Sequence, residues 1–163
     1  MIREAEKKDF SAIVEIYNYY IRSTVISFEE DEIDVHEILS RINKVKSAGL
    51  CWLVYQQNER IAGYAYASKW NQRSAYRNTV EVSVYLDPQR VGTGFGTKLY
   101  DELFRRLKDK SIHVAIAGIA LPNPESVRLH ERFGMEKVAH YTEVGYKFGR
   151  WVDVGYWQVQ LDK

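Results

Sequence analysis

Residues 80–103 read VEVSVYLDPQRVGTGFGTKLYDEL, and the succession of elements in that stretch decides the fold. Val80, Val82, Val84 and Leu86 alternate with Glu81, Ser83 and Tyr85, the period of a strand whose two faces meet different surroundings. Asp87-Pro88 stops the strand, since proline has no amide hydrogen to give a ladder. Gly92, Gly94 and Gly96 follow, and a helix rises directly from them. Its Phe95, Leu99, Leu103 and Leu107 share one face, with Tyr100 and Phe104 beside them.

The alternating glycines pose a chemical question. Glycine lets consecutive backbone N–H groups turn inward without a Cβ in the way, and a helix start adds partial positive charge. The turn therefore suits an anion such as a pyrophosphate. Two familiar phosphate loops fit badly. A Walker loop needs Lys then Ser or Thr after its last glycine, whereas Thr97-Lys98 has the reverse order. A dinucleotide fingerprint needs Gly-x-Gly-x-x-Gly on a first strand, whereas this Gly-x-Gly-x-Gly turn lies past mid-chain. The plain alternative is a tight turn whose glycines only permit close packing; anion binding is the favoured reading.

Outward from this stretch, Phe10, Ile13, Val14, Tyr17, Tyr20 and Ile21 predict a helix over 10–21, with Asp9 or Ser11 as its cap. Val35, Ile38, Leu39, Ile42 and Val45 predict a second helix ending near Gly49. Between them, STVISFEEDEID (23–34) fits neither period and reads as a loop with an aromatic anchor. LCWLVYQ (50–56) and RIAGYAYAS (60–68) predict a hairpin joined through QNER. HVAIAGIA (113–120) predicts a strand, and PESVRLHERFG (124–134) a short helix ending at Gly134. Closing strands are expected at Lys137–Val144 and Val154–Leu161. With no repeat or linker, residues 1–163 read as a single mixed α/β domain.

Hydrophobic residues make up 45% and charged residues 28%, a globular composition rather than a disordered one. A net charge of +1 gives no reason to expect a nucleic-acid partner. The four histidines lack zinc-ligand spacing, so no metal is expected. Cys51, in LCWLVY, reads as a buried strand thiol. MIREAEKKDF is charged and unlike a signal peptide, and no apolar run is long enough to span a bilayer. A soluble, cytoplasmic protein without a membrane partner is the expectation. The 12 Tyr and 4 Trp are read mainly as core and interface packing.

Residues 80–103, followed by NPESVRLHERFGM (123–135), resemble the acetyl-coenzyme A-dependent N-acetyltransferases of the GNAT superfamily. SFEE (27–30), SAYRNTVEVSVYL (74–86) and VGYKFGRWVDVGYWQ (144–158) narrow the resemblance to the phosphinothricin and methionine sulfoximine N-acetyltransferases. It covers nearly the whole chain. It implies an α+β GNAT fold, a central mixed but mostly antiparallel twisted sheet flanked by helices. One departure is Val91, which stands where the superfamily loop usually opens with Arg or Gln. An alternative register starts from Gln89, and Arg90 is a candidate to compensate.

The resemblance implies that acetyl-coenzyme A is the co-substrate, its pantetheine arm paired with the strand edge at Val84, Tyr85 and Leu86. Its pyrophosphate would lie on the backbone of Gly92, Thr93, Gly94, Phe95, Gly96 and Thr97. Asn123 and Ser126 match positions across the arm, beside their simpler roles at the start of a helix. Glu81 is the leading catalytic candidate. An α-amino group has a pKa of about 8, so an attacking amine must first lose a proton. A carboxylate beside the acetyl group can take it if burial raises the ordinary glutamate value of about 4.3. The residues alone leave Glu81 equally readable as a polar side chain on a wet strand face. His130 holds a position where many members carry Tyr, which implies a donor to the departing sulfur; a packed helix histidine is the alternative. The Val84 N–H is implied as donor to the developing oxyanion.

For the acceptor, the resemblance points to Arg73 as partner of an amino-acid carboxylate, with Phe28, Glu29 and Tyr76 nearby. Lys147 and Arg150 either enter the site from a second subunit or are ordinary surface charge, and a homodimer is expected. Trp70 and Trp151 are either pocket walls or packing. The implied activity is acetyl transfer to a small amino acid-like amine. Alternatives are a polyamine or protein N-terminal acetyltransferase, the former disfavoured by Arg73, and a non-catalytic coenzyme A-binding module, disfavoured by Glu81.

Overall fold

In the computed structural model, which describes residues 1–162, the helical stripes fold as α1 (Phe10–Ser23), α2 (Val35–Ser47), α3 (Phe95–Asp109) and α4 (Pro124–Arg132). The strands are β1 (Ile2–Glu4), β2 (Trp52–Gln57), β3 (Arg60–Lys69), β4 (Thr79–Leu86), β5 (Val114–Leu121), β6 (Glu136–Lys147) and β7 (Arg150–Gln160). All seven form one sheet in the order β1-β2-β3-β4-β5-β7-β6. Every neighbouring pair is antiparallel except β4 and β5, which the crossover through α3 makes parallel. The mixed, mostly antiparallel sheet flanked by helices is the expected architecture.

Three local features depart from the sequence reading. β1 was not anticipated, being too short to show a period. Asp9 does not cap α1. Its carboxylate accepts from the Arg3 guanidinium at 2.7 and 2.9 Å and from the Glu6 N–H at 2.8 Å, closing the turn before the helix. The final hairpin is longer than expected at its tip, where β6 runs on to Lys147 and β7 starts at Arg150. Its turn residues, Phe148 and Gly149, both have positive φ (54° and 71°), as a two-residue type I′ turn requires. An aromatic residue in a left-handed position carries no turn signal, so the sequence did not announce it.

The two faces of β4 sort the helices. Tyr85 meets Tyr17 and Tyr20 of α1 with ring centroids 5.1 and 5.3 Å apart. On the opposite face, a Cβ placed on Gly96 of α3 would stand 3.8 Å from Leu86 Cδ1. α1 thus lies on the side of the odd-numbered side chains of β4 and α3 on the side of the even-numbered ones. Leu99, Leu103 and Leu107 of α3 are fully buried, as their spacing requires. Truncating Leu103 to Ala is expected to cost about 2–5 kcal/mol, read as a lower denaturant midpoint at unchanged slope. Cys51 lies buried just before β2, and burial pushes its thiol pKa up to about 11, which makes it inert as a nucleophile.

Candidate active site

The sheet opens where β4 and β5 part. Their parallel pairing runs only from Thr79–Val114 to Glu81–Ile116, although β4 continues to Leu86 and β5 to Leu121. Beyond Glu81, β4 stays with β3 and β5 stays with β7, so a wedge opens between them. The Asp87 N–H donates to Ala62 O at 2.9 Å, so the odd-numbered residues of β4 exchange bonds with β3. By alternation, the backbone groups of Val82, Val84 and Leu86 point into the wedge. The Tyr20 hydroxyl donates to Leu86 O at 2.5 Å. Burial pushes that hydroxyl's pKa up to about 12, so it stays a donor at neutral pH. The Val84 amide and carbonyl therefore remain as the strand edge that an extended ligand can join.

Three connected spaces surround the wedge. On the α3–α4 side, a groove of about 630 Å³ runs along Val84, Leu86, Gly92, Gly94, Thr97 and Asn123. On the opposite side, a cavity of about 690 Å³ is walled by Tyr17, Phe28, Glu29, Glu81, Tyr141 and Tyr156. A neck of about 60 Å³ lies between, touched by Val84, Tyr85, Ala120, Asn123, Ser126 and His130. Tyr85 lines all three, as does Ile26 from the loop after α1.

The groove ends on the glycine turn. Gly92 and Gly94 have φ of 79° and 81°, and space is open around any Cβ at either. Lys98 N donates the first α3 bond to Gly94 O at 3.2 Å, so the N–H groups of Phe95, Gly96 and Thr97 have no helical acceptor. These three amides, at the positive end of a 15-residue helix, fit an anionic pyrophosphate. Only the backbone of Phe95 is available, because its ring is buried and stacked 4.3 Å from Tyr55. Thr93 lies off the groove wall, its hydroxyl donating to Arg90 O at 2.5 Å. Arg90 does not stand in for the missing first side chain. Its guanidinium donates to Gln57 Oε1 at 3.3 Å and does not line the groove, whereas Val91 does. Asn123 caps α4, its side-chain oxygen accepting from Ser126 N at 3.2 Å, and both residues also line groove and neck.

Glu81 sits at the last paired position before the wedge, partly buried, facing the 690 Å³ cavity. Burial raises its carboxyl pKa above the ordinary range. His130 reaches the neck, but both ring nitrogens are engaged. Nδ1 lies 2.7 Å from Ser126 O, which only accepts, so Nδ1 carries the hydrogen. Nε2 then accepts from the Tyr100 hydroxyl at 2.9 Å. Burial lowers the His130 pKa, outweighing the opposite effect of the Ser126 carbonyl. A neutral imidazole with its donor spent on a carbonyl does not fit the proton-donor part expected of it; it orients Tyr100 instead.

Phe28 and Glu29 reach the cavity on the loop after α1. Glu29 is clamped by Arg41, with contacts of 2.5 and 2.8 Å, and by the Tyr17 hydroxyl. The Arg41 bonds keep its pKa low, so it remains charged. Arg73 and Tyr76 are not part of this wall. Both are exposed on the β3–β4 connection, which closes where Trp70 N donates to Thr79 O, and closeness in sequence to Glu81 does not carry them into the cavity. Lys147 is neither surface charge nor aimed at another subunit: it is 3% exposed, inside its own chain. Arg150 is exposed beside the hairpin turn. Trp151 is exposed and packs on Tyr146, whereas Trp70 packs on Tyr156 of the cavity wall. Sequence reading missed Tyr17, Tyr20, Tyr141 and Tyr156 as site residues. The first two were legible only as a helical stripe, and the last two as strand residues without a known face. Among the described residues, no three His, Cys, Asp or Glu side chains are grouped to hold a metal.

Comparison with known proteins agrees with this geometry. Residues 2–155 match the acetyltransferase (GNAT) domain. A methionine sulfoximine/methionine sulfone acetyltransferase of Salmonella typhimurium is 37% identical over 162 residues, 99% of this chain and 95% of that protein. A phosphinothricin N-acetyltransferase of Streptomyces coelicolor is 36% identical over 163 residues, 98% of this chain and 95% of the relative. The solved structure of yncA from Salmonella typhimurium, with its cofactor acetyl-CoA, superposes with a TM-score of 0.96 at 37% identity, covering 100% of this chain and 94% of that one. From its matched domain, its relatives and its split sheet alike, the chain belongs to the GNAT acetyltransferases.

Proposed function

We propose that the protein transfers the acetyl group of acetyl-coenzyme A to the amino group of a small amino acid-like molecule, of the kind of phosphinothricin or methionine sulfoximine. The observation that carries this reading is the meeting, at the β4–β5 wedge, of an anion-binding groove on one face and a Glu81-walled cavity on the other. The coenzyme brings the acetyl group as a thioester, which is reactive toward a free amine. Val84 joins the pantetheine arm, with Tyr85 and Leu86 along the same edge and Asn123 and Ser126 opposite. The amides of residues 95–97, reached over Gly92, Thr93 and Gly94, hold the pyrophosphate. In the cavity, Glu81 accepts the proton of the amine, directly or through water. The Val84 N–H faces the negative charge that develops on the thioester oxygen. A thiol of pKa about 8.5 leaves with little help, so the engaged state of His130 is no obstacle.

The cavity wall itself favours a second reading. It carries two carboxylates, Glu29 and Glu81, four tyrosines and no Lys or Arg. With Arg73 outside that wall, the argument against a polyamine loses its structural basis, and a peptide N-terminus stands beside it as an alternative. Thiol release from acetyl-coenzyme A against amino acids, polyamines and short peptides separates the cases. Turnover is expected with amino acids; turnover confined to polyamines or peptides moves the assignment to that class, and coenzyme binding without any thiol release removes the enzyme reading.

A homodimer, a cytoplasmic location and a single domain over 1–163 belong to the same proposal. Val138, Val144, Tyr146, Phe148 and Trp151 on the last hairpin are 53–63% exposed, an apolar row that suits a second copy. In a dimer, the exposed Arg73, Tyr76 and Arg150 are free to serve a neighbouring cavity. The near-neutral charge offers nothing to a nucleic acid, and no helix among the described residues is long and apolar enough to cross a membrane.

A further inference from the structure

Lys147 is a lysine turned inward on a hairpin strand. Its neighbours Val144, Tyr146 and Phe148 are 56–60% exposed, whereas Gly145 and Lys147 face the protein. An ammonium has three hydrogens, and a buried one must place all of them. Here three backbone carbonyls accept: Ile21 O at 2.7 Å, Thr24 O at 2.8 Å and Ser27 O at 2.7 Å. Ile21 belongs to the last turn of α1, whose carbonyls lack helical donors and form the negative end of the helix dipole. Ser27 lines the cavity itself, just before Phe28 and Glu29. Its hydroxyl is 2.9 Å from the Tyr17 hydroxyl and accepts from Glu29 N at 3.2 Å.

Gly145, two residues away, completes the grip. A Cβ there would stand 2.4 Å from two ring carbons of Phe28, so only glycine leaves room for that ring. The inner face of the hairpin thus presents a cation to the loop's carbonyls and a gap to its aromatic side chain. We propose that Lys147 is a positioning residue of the acceptor site: it fastens the segment after α1 so that Phe28 and Glu29 stand in the cavity opposite Glu81, with Gly145 seating Phe28. The proposal rests on reading that cavity as the acceptor site.

Lys147→Met and Gly145→Ala test it in the full chain, by steady-state kinetics and by hydrogen exchange. Loss of charge-assisted bonds is expected to raise KM for the acceptor by about tenfold or more, with KM for acetyl-coenzyme A within about twofold. Exchange should quicken at amides 22–30 in Lys147→Met and stay unchanged along β4 and α3. Gly145→Ala keeps the lysine bonds but displaces Phe28, so it should show the same split in KM, and Lys147→Gln takes the place of Lys147→Met if the latter does not fold. Unchanged exchange at 22–30, equal rises in both KM values, or a loosened loop with an unaltered acceptor KM overturns the proposal. Absence of turnover in the unsubstituted enzyme counts against the acceptor reading instead, and exchange still reports whether Lys147 holds the loop.

Discussion

Glu81→Gln is expected to lower kcat/KM for the amine by about 10²–10⁴-fold while leaving the affinity for acetyl-coenzyme A unchanged. The carboxylate faces the acceptor cavity, and glutamine keeps its shape but cannot take a proton at neutral pH. In the unsubstituted enzyme, kcat/KM should fall as pH drops through the Glu81 pKa, at a pH above the ordinary 4.5 because burial raises that value. In Glu81→Gln this acidic limb should vanish. Stability should move the other way. A carboxyl whose folded pKa is raised contributes its full stability below the unfolded value of 4.5 and loses it as pH rises through the folded value. At pH 7 the native enzyme therefore holds a partly desolvated charge that Glu81→Gln lacks. The variant should melt higher than the native enzyme at pH 7, with the difference disappearing near pH 4.5. Full turnover across pH in Glu81→Gln would remove Glu81 from the proton path.

Gly94→Val should strike the other substrate. Gly94 has φ of 81°, and nothing lies within 4 Å of a Cβ there. A β-branched residue in that left-handed conformation costs about 1–3 kcal/mol. Its side chain would also stand beside the open amides of Phe95, Gly96 and Thr97. KM for acetyl-coenzyme A is expected to rise about 100-fold, with the acceptor KM nearly constant. Gly94→Ala, smaller but equally left-handed, should fall between. Unchanged coenzyme affinity, measured by calorimetry, would mean that the pyrophosphate lies elsewhere.

The strand–turn–helix of residues 80–103 was legible because each of its parts is local. Alternation marks β4, proline ends it, glycines turn the backbone, and a four-residue stripe marks α3. Alternation also fixes the side of the sheet on which Glu81 lies relative to Val80 and Val82, but not its chemistry: the residues alone read equally well as a polar side chain on a wet face, and the catalytic expectation came from the resemblance. The parting of β4 from β5 was not, because it depends on which of two neighbours each strand follows, a long-range choice without a local signature. The tyrosines of the cavity were hidden likewise: Tyr17 on a helix and Tyr156 on a strand become neighbours of one space only through the sheet order. Lys147 was misplaced because a lysine after a tyrosine in a hairpin reads as surface charge. Its burial follows from the free carbonyls at the end of α1, more than a hundred residues earlier, which no window of sequence displays. His130 looked like a proton donor from its position in the motif, whereas the Ser126 carbonyl one helical turn back and the Tyr100 hydroxyl settle its tautomer.

Direct transfer across the sheet requires that groove, neck and cavity hold both substrates at once. The most direct measurement is calorimetric titration with a bisubstrate compound, coenzyme A whose sulfur is joined through an acetyl link to the nitrogen of an amino acid. Since one molecule would fill both spaces through the neck, it should bind about 100-fold or more tightly than coenzyme A itself. The gain should shrink in Gly145→Ala, where only the acceptor half is disturbed. A bisubstrate compound that bound no better than coenzyme A would contradict a shared site at the wedge.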